Sequence, residues 1–345
     1  MLMKRIYLIF LPLLIGISCT NSDEGIIIDE GATLENPKWN LTEPPFPVGA
    51  ESPYPLMNNP QFKNVSDVTN LRDDHRVAIV SFDNSIRVYP YLYNDTYEIV
   101  NDHLHGKYYA VSYCPQTKSA INYNRIVKTD TLDLVASGYL YKENMVPSDT
   151  KFNYFWSQMM MKGINNAAVS QDIQTYNLVQ STWKTIVDHF PNAKVFVHDN
   201  LVIPLQNNNR EAPVLTNDDS DDVFGIIENF NDGIKDEIVR SFAFKQFPNE
   251  VSTKEINVEG QNILIIGSEK HYFFSAYIIP PEITFHNIDE NVFPPVLKDH
   301  QGTTWNAFGY AIDGPRKGAQ LASPKAYVAA WWAWKLFYTN IKIEL

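Results

Sequence analysis

The chain has 345 residues, of which 44% are hydrophobic and 20% are charged, a composition typical of globular proteins. Its net charge of −12 disfavours nucleic acid and anionic lipid as partners, because both repel an acidic surface. Cys19 and Cys114 are its only two cysteines, so a disulfide-stapled fold is excluded and stability has to come from buried apolar and aromatic side chains.

Residues 1–18 have the pattern of a secretory signal peptide: two basic residues, then an apolar core over 6–17. That core is shorter than the roughly 20 residues that span a bilayer. Residues 16–19 resemble a bacterial lipobox, so we predict that Cys19 carries the lipid, including palmitate; export with cleavage and no lipid is the alternative. The acidic residues at 21–24 resemble the surface-export signal of some lipoproteins, or form a solvated tether. We therefore expect an extracytoplasmic protein at the outer membrane or cell surface, held to the membrane by its lipid alone.

Residues 19–60 are predicted to form a polar tether followed by a proline-rich strap. The strap, over 37–60, holds seven prolines, which forbid a helix and favour an extended chain. Because Trp39, Phe46 and Tyr54 also lie there, we expect the strap to pack against the domain.

Residues 61–205 are dominated by strand signals. Apolar runs at 77–82 and 86–89, separated by Asp83 and Asn84, predict a β-hairpin. Apolar side chains at helical spacing over 182–190 predict a helix that ends at Pro191. Further strands are predicted at 97–100, 108–113, 120–126 and 132–140.

Residues 221–345 look like a second, degenerate copy of residues 61–205, with 206–220 as the linker. Landmarks of one segment recur in the other at a nearly constant interval, which indicates duplication; chance alignment of common aromatic residues is the alternative. The landmarks are Asp73-Asp74 and Asp221-Asp222, His103–Tyr109 and Val258–Leu264, Asp149 with Trp156 and Asp299 with Trp305, and the aromatic segments Trp183–Phe190 and Trp331–Phe337. The predicted fold is a β-rich α+β structure of two tandem homologous repeats, each ending in an aromatic helix.

Several short motifs occur in a distinctive order. They are Arg87–Pro90, Tyr97–Asp102, Tyr113–Thr117, Ser137-Gly138, Asp149 ahead of Trp156-Ser157-Gln158, and Thr182-Trp183. Together they resemble the domain of unknown function 3179 family of exported proteins, well over about 53–200 and faintly beyond. The resemblance implies no established reaction.

Two positions depart from the pattern of that family. Tyr97 stands where the family often has His, and Thr117 stands where many members have a second Cys. A dithiol redox cycle needs a resolving cysteine, so this chemistry is not expected here.

Three residues are candidates for catalysis. Cys114 could act as a nucleophile if Asp102 or a histidine lay within reach as a base, or it could be a small buried residue that shapes a turn. Glu98 and Asp102 could form an acid/base pair on one face of a strand, or belong to an ordinary hairpin.

No metal or cofactor is expected. His103 and His105 share one face of an extended segment, as metal ligands can, but no third ligand is evident in the sequence. The run Met159–Met161 could suggest copper, yet consecutive side chains point in different directions, so we expect core packing beside Trp156.

Two functional hypotheses follow, and the first is favoured. The first is a non-catalytic module at the cell envelope that binds a glycan, a peptide or a partner protein. Its candidate binding residues are Tyr113, Thr117, Ser119, Asp149, Trp156 and Gln158. The second is a hydrolase or transferase that depends on Cys114 and a carboxylate.

Overall fold

The computed structural model describes residues 37–48, 54–94, 96–169, 173–198, 222–229, 237–248, 250–288 and 292–344. The predicted signal peptide, Cys19, the tether up to residue 36 and the linker at 206–220 lie outside these residues. Among the described residues, no helix has both the length and the apolar character needed to cross a bilayer.

The first half of the molecule consists mainly of strands, with two short helices. The strands are β1 Phe46–Pro47, β2 Met57–Asn58, β3 Gln61–Asn64, β4 Arg76–Phe82, β5 Ser85–Pro90, β6 Ile99–Leu104, β7 Lys107–Cys114, β8 Ser119–Asn124, β9 Ile126–Val127, β10 Asp130–Thr131, β11 Leu134–Tyr141, β12 Asn144–Asp149, β13 Trp156–Ser157, β14 Lys162–Gly163, β15 Thr175–Tyr176, β16 Val179–Thr182 and β17 Lys194–Val197. The helices are α1 Tyr91–Asn94 and α2 Trp183–His189.

The second half also consists mainly of strands, with one helix, α3 Trp331–Phe337. Its strands are β18 Asp222–Glu228, β19 Ile238–Ala243, β20 Ser252–Val258, β21 Gln261–Ser268, β22 Phe273–Ile279, β23 Phe285–Ile288, β24 Leu297–Asp299, β25 Thr304–Trp305, β26 Ala311–Asp313, β27 Ala326–Ala330 and β28 Ile341–Ile343. The β-rich α+β class predicted from the sequence is therefore confirmed.

Local chemistry explains the hairpin and the helix that the sequence predicts most directly. Asp83 and Asn84 join β4 to β5 with φ values of 47° and 64°, and two residues with positive φ are what the tightest hairpin turn requires. Thr182 caps α2 by accepting a hydrogen bond from the Thr185 amide at 3.3 Å, which satisfies one of the free amides at the helix start. Both predictions are confirmed within one residue at each end.

The predicted strand at 97–100 begins later than expected. β6 starts at Ile99, because Glu98 has a left-handed φ of 55° and cannot continue a strand. Glu98 and Asp102 therefore do not lie on one uninterrupted strand.

Four sheets organise the two halves. Sheet I has the order β16-β4-β5-β17-β3, and sheet II has the order β15-β8-β7-β6-β2. Sheet III has the order β27-β18-β19-β28, and sheet IV has the order β20-β21-β22. We call the consecutive antiparallel strands β6-β7-β8 of sheet II and β20-β21-β22 of sheet IV the meanders of the two halves. Between the meander and the helix of each half lie short hairpins, here called the first insert (134–163) and the second insert (285–313).

Sheets I and III have the same connectivity. In each, two antiparallel strands form a hairpin, the strand before the helix pairs antiparallel with the first of them, and the strand after the helix pairs parallel with the second. Arg76 opposite Thr182 in sheet I thus corresponds to Asp222 opposite Ala330 in sheet III. The sequence landmark had instead aligned Asp222 with Asp74, two residues away.

The hydrophobic cores cross the boundary between the halves. Trp305 of the second insert lies in the cluster of buried residues that holds Trp183 of α2. Trp156 of the first insert lies in the cluster that holds Trp334 of α3. Each helix therefore packs against the insert of the other half, so the halves share their cores.

The proline-rich strap packs against the first insert in its described part. β1 pairs with β11, and the Trp39 ring lies 5.1 Å from the rings of Tyr139 and Phe155. Trp39 and Tyr54 pack against the domain as expected, whereas the side chain of Phe46 is 46% exposed although its backbone pairs with β11.

Candidate functional site

A buried network of uncharged polar side chains lies behind the end of β7. The Gln158 carbonyl accepts from Ser119 at 2.6 Å and from the Asn144 amide at 2.7 Å, while its amide donates to Ser112 at 2.8 Å. The Asn144 amide also donates to Thr117 at 2.8 Å. All five side chains are at most 1% exposed. Fully satisfied networks of this kind hold their members rigidly.

Cys114 lies at the end of β7 in front of this network, opposite Ser119 on β8. Burial raises the pKa of its thiol, because the charged form loses water. The Thr117 hydroxyl and the backbone amides of Thr117 and Met145 donate to the sulfur and oppose this rise without cancelling it. The thiol is therefore protonated near neutral pH, and the Glu98 carboxylate raises its pKa further. Among the described residues, neither a histidine nor a carboxylate is a hydrogen-bond partner of the sulfur.

A cleft of about 310 Å³ opens over Cys114. Its lining combines apolar, aromatic and backbone surface with one carboxylate, that of Glu98. The lining residues described are Val48, Tyr54, Glu98, Cys114, Pro115, Gln116, Ala136, Ser137, Gly138, Tyr139, Leu140, Met145 and Val146. None of these is basic. We call this the Cys114 cleft.

A break in β11 shapes the wall of the Cys114 cleft. The pairing of β11 with β12 shifts between Ala136 and Leu140, and Gly138 has a φ of 77° within this bulge. Ser137 fixes the bulge by donating to the Val146 carbonyl at 2.6 Å. A bulge redirects the chain, here so that Tyr139 lines the cleft.

Asp102 belongs to a different environment from Glu98. It accepts hydrogen bonds from Tyr89 at 2.6 Å and Tyr109 at 2.8 Å, and it forms an ion pair with Arg87. These hydrogen bonds and this ion pair hold the Asp102 carboxylate inside the fold, whereas Glu98 lines the Cys114 cleft. The structure brings Glu98 to the cysteine and leaves Asp102 elsewhere.

The predicted binding residues are mostly inside the protein. Asp149 is buried and accepts from the backbone amides of Lys151, Phe152 and Tyr154, so it shapes a loop. Trp156 is 0% exposed and fills the core. Tyr113 is partly buried, and its ring stacks on that of Tyr91 at 3.6 Å.

Thr117, Ser119 and Gln158 belong to the network behind Cys114 and are 0% exposed, so their side chains do not reach the Cys114 cleft from solvent. The sequence motifs placed these three residues in one candidate site, and their side chains lie next to one another in the structure. Sequence reasoning missed Asn144 and Tyr139, since neither carries a local signal that points to this place.

The other candidates for metal binding have local partners. His105 forms a hydrogen bond with Ser85 at 2.8 Å, and His103 stacks near Tyr108. Met159, Met160 and Met161 are buried in the cluster that holds Trp156, as the core interpretation predicts. Within the described part of the chain, no group of three potential metal-binding side chains comes together.

The model of the family described as "Protein of unknown function (DUF3179)" matches residues 53–341. The match runs through both halves, further than the motifs of the first half indicated. No curated protein and no solved structure matches the chain.

Proposed function

Since the chain belongs to the DUF3179 family, whose activity is unknown, we propose that it is a lipid-anchored, extracytoplasmic binding protein that takes an envelope glycan or peptide into the Cys114 cleft. One observation carries this proposal: the cleft ends on a buried, protonated thiol whose partners are Thr117 and two backbone amides, none of them a base. A nucleophilic cysteine needs a lowered pKa or an adjacent base. A preformed cleft of about 310 Å³ is of the size that small ligands occupy.

Binding is tested by obstructing the mouth of the Cys114 cleft. Gln116 lines the cleft and is exposed, so Gln116→Trp fills the entrance without disturbing the core. Gln61→Trp, at an exposed position on β3, is the matched control. Muramyl dipeptide, which contains both sugar and peptide, is titrated by calorimetry. We expect wild type and Gln61→Trp to bind and Gln116→Trp to lose binding; equal binding by all three would contradict the location.

Cys114→Ser distinguishes binding from thiol catalysis. We expect the variant to fold, to keep muramyl dipeptide binding, and to lose about 1–2 kcal/mol of stability, because serine nearly preserves the volume but buries a stronger polar group. The wild-type thiol should react slowly with iodoacetamide near neutral pH. Rapid alkylation of the folded protein, together with loss of a measurable turnover in the serine variant, would favour the hydrolase or transferase instead.

The anchor is the second part of the proposal. Residues 16–19 resemble a lipobox, and Cys19 would then be the acylated first residue of the mature chain. Mass spectrometry of the native protein should find an acylated N-terminal peptide beginning at Cys19. A mature N-terminus downstream of Cys19, without lipid, would refute the anchor and leave the cleft proposal standing.

We also propose that the two halves arose by duplication. Their central sheets share one connectivity, and their meanders share two unusual turns. His105-Gly106 and Glu259-Gly260 both have positive φ, as do Lys118 and Tyr272 four residues after β7 and β21. An experimental structure in which residues 73–196 fail to superpose on 221–343 would refute the duplication.

A further inference from the structure

A partly buried arginine at the contact between the halves has no ion-pair partner among the described residues. Arg76 is the first residue of β4, and its guanidinium lies 3.0 Å from the centroid of the Tyr272 ring. Among the described residues, no carboxylate forms an ion pair with it, and its Nη1 atom is buried without a hydrogen-bond partner. A guanidinium has five N–H donors, and buried donors are almost always satisfied.

Two of the carboxylates near Arg76 form ion pairs with other cationic groups. Asp222, at the corresponding position of sheet III, lies 3.3 Å from the Lys118 ammonium and accepts from the Tyr272 hydroxyl. Asp74 is held by Arg72 at 3.0 Å. Arg76 therefore has no ion-pair partner among the described residues, and the Asp222 Oδ1 atom is likewise buried without a hydrogen-bond partner.

A second unpartnered group lies beside Arg76. The Tyr91 side chain is 5% exposed, and its hydroxyl is buried without a hydrogen-bond partner. Burial raises the pKa of Tyr91, so the hydroxyl keeps its proton and can donate.

Arg76 and Tyr91 line the same depression, of about 340 Å³, together with Asp74, His75, Leu92 and Tyr113. Leu92 and the Tyr113 ring, stacked on Tyr91, supply an apolar surface next to the two free donors. Tyr113 precedes Cys114 on β7, and neighbouring strand residues point to opposite faces. The depression is therefore distinct from the Cys114 cleft.

We propose that this depression binds the carboxylate of a small organic acid. Arg76 forms an ion pair with the carboxylate and Tyr91 donates a hydrogen bond to it. The apolar part of the acid lies against Leu92 and Tyr113. A guanidinium matches a carboxylate with two parallel hydrogen bonds. One guanidinium suits a monoanion, whereas a phosphate dianion would bring a second negative charge close to the Asp74 and Asp222 carboxylates.

The test uses benzoate as the probe, because it joins a carboxylate to a flat apolar ring. Benzamide has the same shape without the charge, and inorganic phosphate supplies the alternative oxyanion. Calorimetry on the full mature protein should detect saturable binding of benzoate, with benzamide and phosphate at least about tenfold weaker. Equal affinity for benzamide, tighter binding of phosphate, or no binding of benzoate would each overturn the proposal.

Two variants locate the binding, and a third serves as the control. Arg76→Gln should weaken benzoate at least about tenfold and Tyr91→Phe about threefold, since one loses a charged partner and the other a neutral hydrogen bond. Arg316→Gln removes an arginine that pairs with Glu282 and does not line the depression, and it should change the affinity less than twofold. Unchanged affinity in Arg76→Gln would overturn the assignment.

Chemical protection keeps the test decisive if Arg76→Gln does not fold. Phenylglyoxal modifies accessible guanidinium groups, and mass spectrometry of the wild-type protein identifies which arginines react. Benzoate should slow the modification of Arg76 and leave that of Arg72 unchanged. Equal rates at Arg76 with benzoate and with benzamide would overturn the proposal.

Discussion

Sheets I and III share one connectivity, but the two halves bury different side chains on the strands beside them. Lys107 begins β7 as Gln261 begins β21, so Ser112 corresponds to Ile266. Ser119, opposite Cys114, corresponds to Phe273, opposite Ser268. At these two positions of the polar network, the second half has Ile266 and Phe273, which belong to a hydrophobic core, whereas Thr117 corresponds to the buried polar residue His271.

This difference indicates that sheet IV tolerates apolar side chains at the positions that Ser112 and Ser119 hold in sheet II. Replacing both partners of a buried hydrogen bond by apolar groups is often neutral or stabilising, and the second half is built in that way. The network therefore has a local role in the first half. It fixes the Thr117 hydroxyl, which donates to the Cys114 sulfur at the end of the cleft. We infer that the first half carries the ligand site and that the second half supports it.

The largest expected effect tests whether the halves share their cores. Trp305→Ala should destabilise the whole protein by about 3–5 kcal/mol, because Trp305 is 1% exposed and lies in the cluster that also holds α2. Urea unfolding, followed by circular dichroism, should show one transition that shifts as a unit. Two transitions, of which only one shifts, would show that the halves fold independently. Trp156→Ala is the matched variant in the other insert.

The next effect tests the polar network. Gln158→Ala should cost about 2–3 kcal/mol, because it leaves Ser112, Ser119 and Asn144 buried with fewer partners. Gln116→Ala, at an exposed position, is the control and should stay within about 0.5 kcal/mol of wild type. A cost below 1 kcal/mol for Gln158→Ala, as read from urea unfolding, would mean that water replaces the amide and that the network is not rigid.

Elements with strong local signals could be predicted from the sequence. The β4–β5 hairpin followed from Asp83 and Asn84 between apolar runs, and α2 followed from helical spacing next to a capping Thr182. The start of β6 was missed because Glu98 adopts a left-handed conformation, in a turn where its amide donates to the Asn94 carbonyl, and a glutamate does not signal this conformation in the sequence.

The candidate site was only partly predictable, for the same reason. The motifs placed Thr117, Ser119 and Gln158 in one candidate site, and their side chains lie in one network, but a motif does not say whether its side chains face solvent or the core. Trp156 is buried in a cluster that includes residues of the second half, and such long-range burial leaves no mark on the local sequence. The acceptor-free Arg76 could be found only once its neighbours were known.

Corresponding aspartates of the two inserts should respond to pH in opposite directions. Burial raises the pKa of Asp149 above 3.8 in spite of its backbone hydrogen bonds. Asp299 also loses water, but hydrogen bonds from Thr303, Trp305 and Gln301 outweigh this loss and lower its pKa below 3.8. As the pH rises above 3.8 and through the raised pKa, Asp149 ionises and its contribution lowers the free energy of unfolding. The ionised Asp299 raises the free energy of unfolding. This contribution is complete above pH 3.8 and is lost as the pH falls through the lowered pKa.

Asparagine variants measure this contrast. Each should be less stable than wild type by about 1–2 kcal/mol near the middle of the range, since an amide replaces a carboxylate acceptor. Urea unfolding from about pH 2 to 7 gives the difference from wild type. The penalty of Asp149→Asn should shrink as pH rises, and that of Asp299→Asn should grow. Parallel pH profiles would show that the two loops are not electrostatically different.

The smallest expected effect compares the turns that open β7 and β21. Gly106 and Gly260 have φ values of 74° and 80°, and a Cβ added at either would meet no heavy atom within 4 Å. Backbone strain is then the only penalty of Gly106→Ala or Gly260→Ala, and each should cost about 1 kcal/mol. Asparagine tolerates this conformation better, so Gly106→Asn and Gly260→Asn should recover part of that loss.

Since neither turn touches the polar network or the apolar core that distinguishes the halves, the two alanine variants should agree within about 0.5 kcal/mol in urea unfolding. Unequal costs would mean that the halves differ even where their backbones coincide, and would weaken the case for duplication.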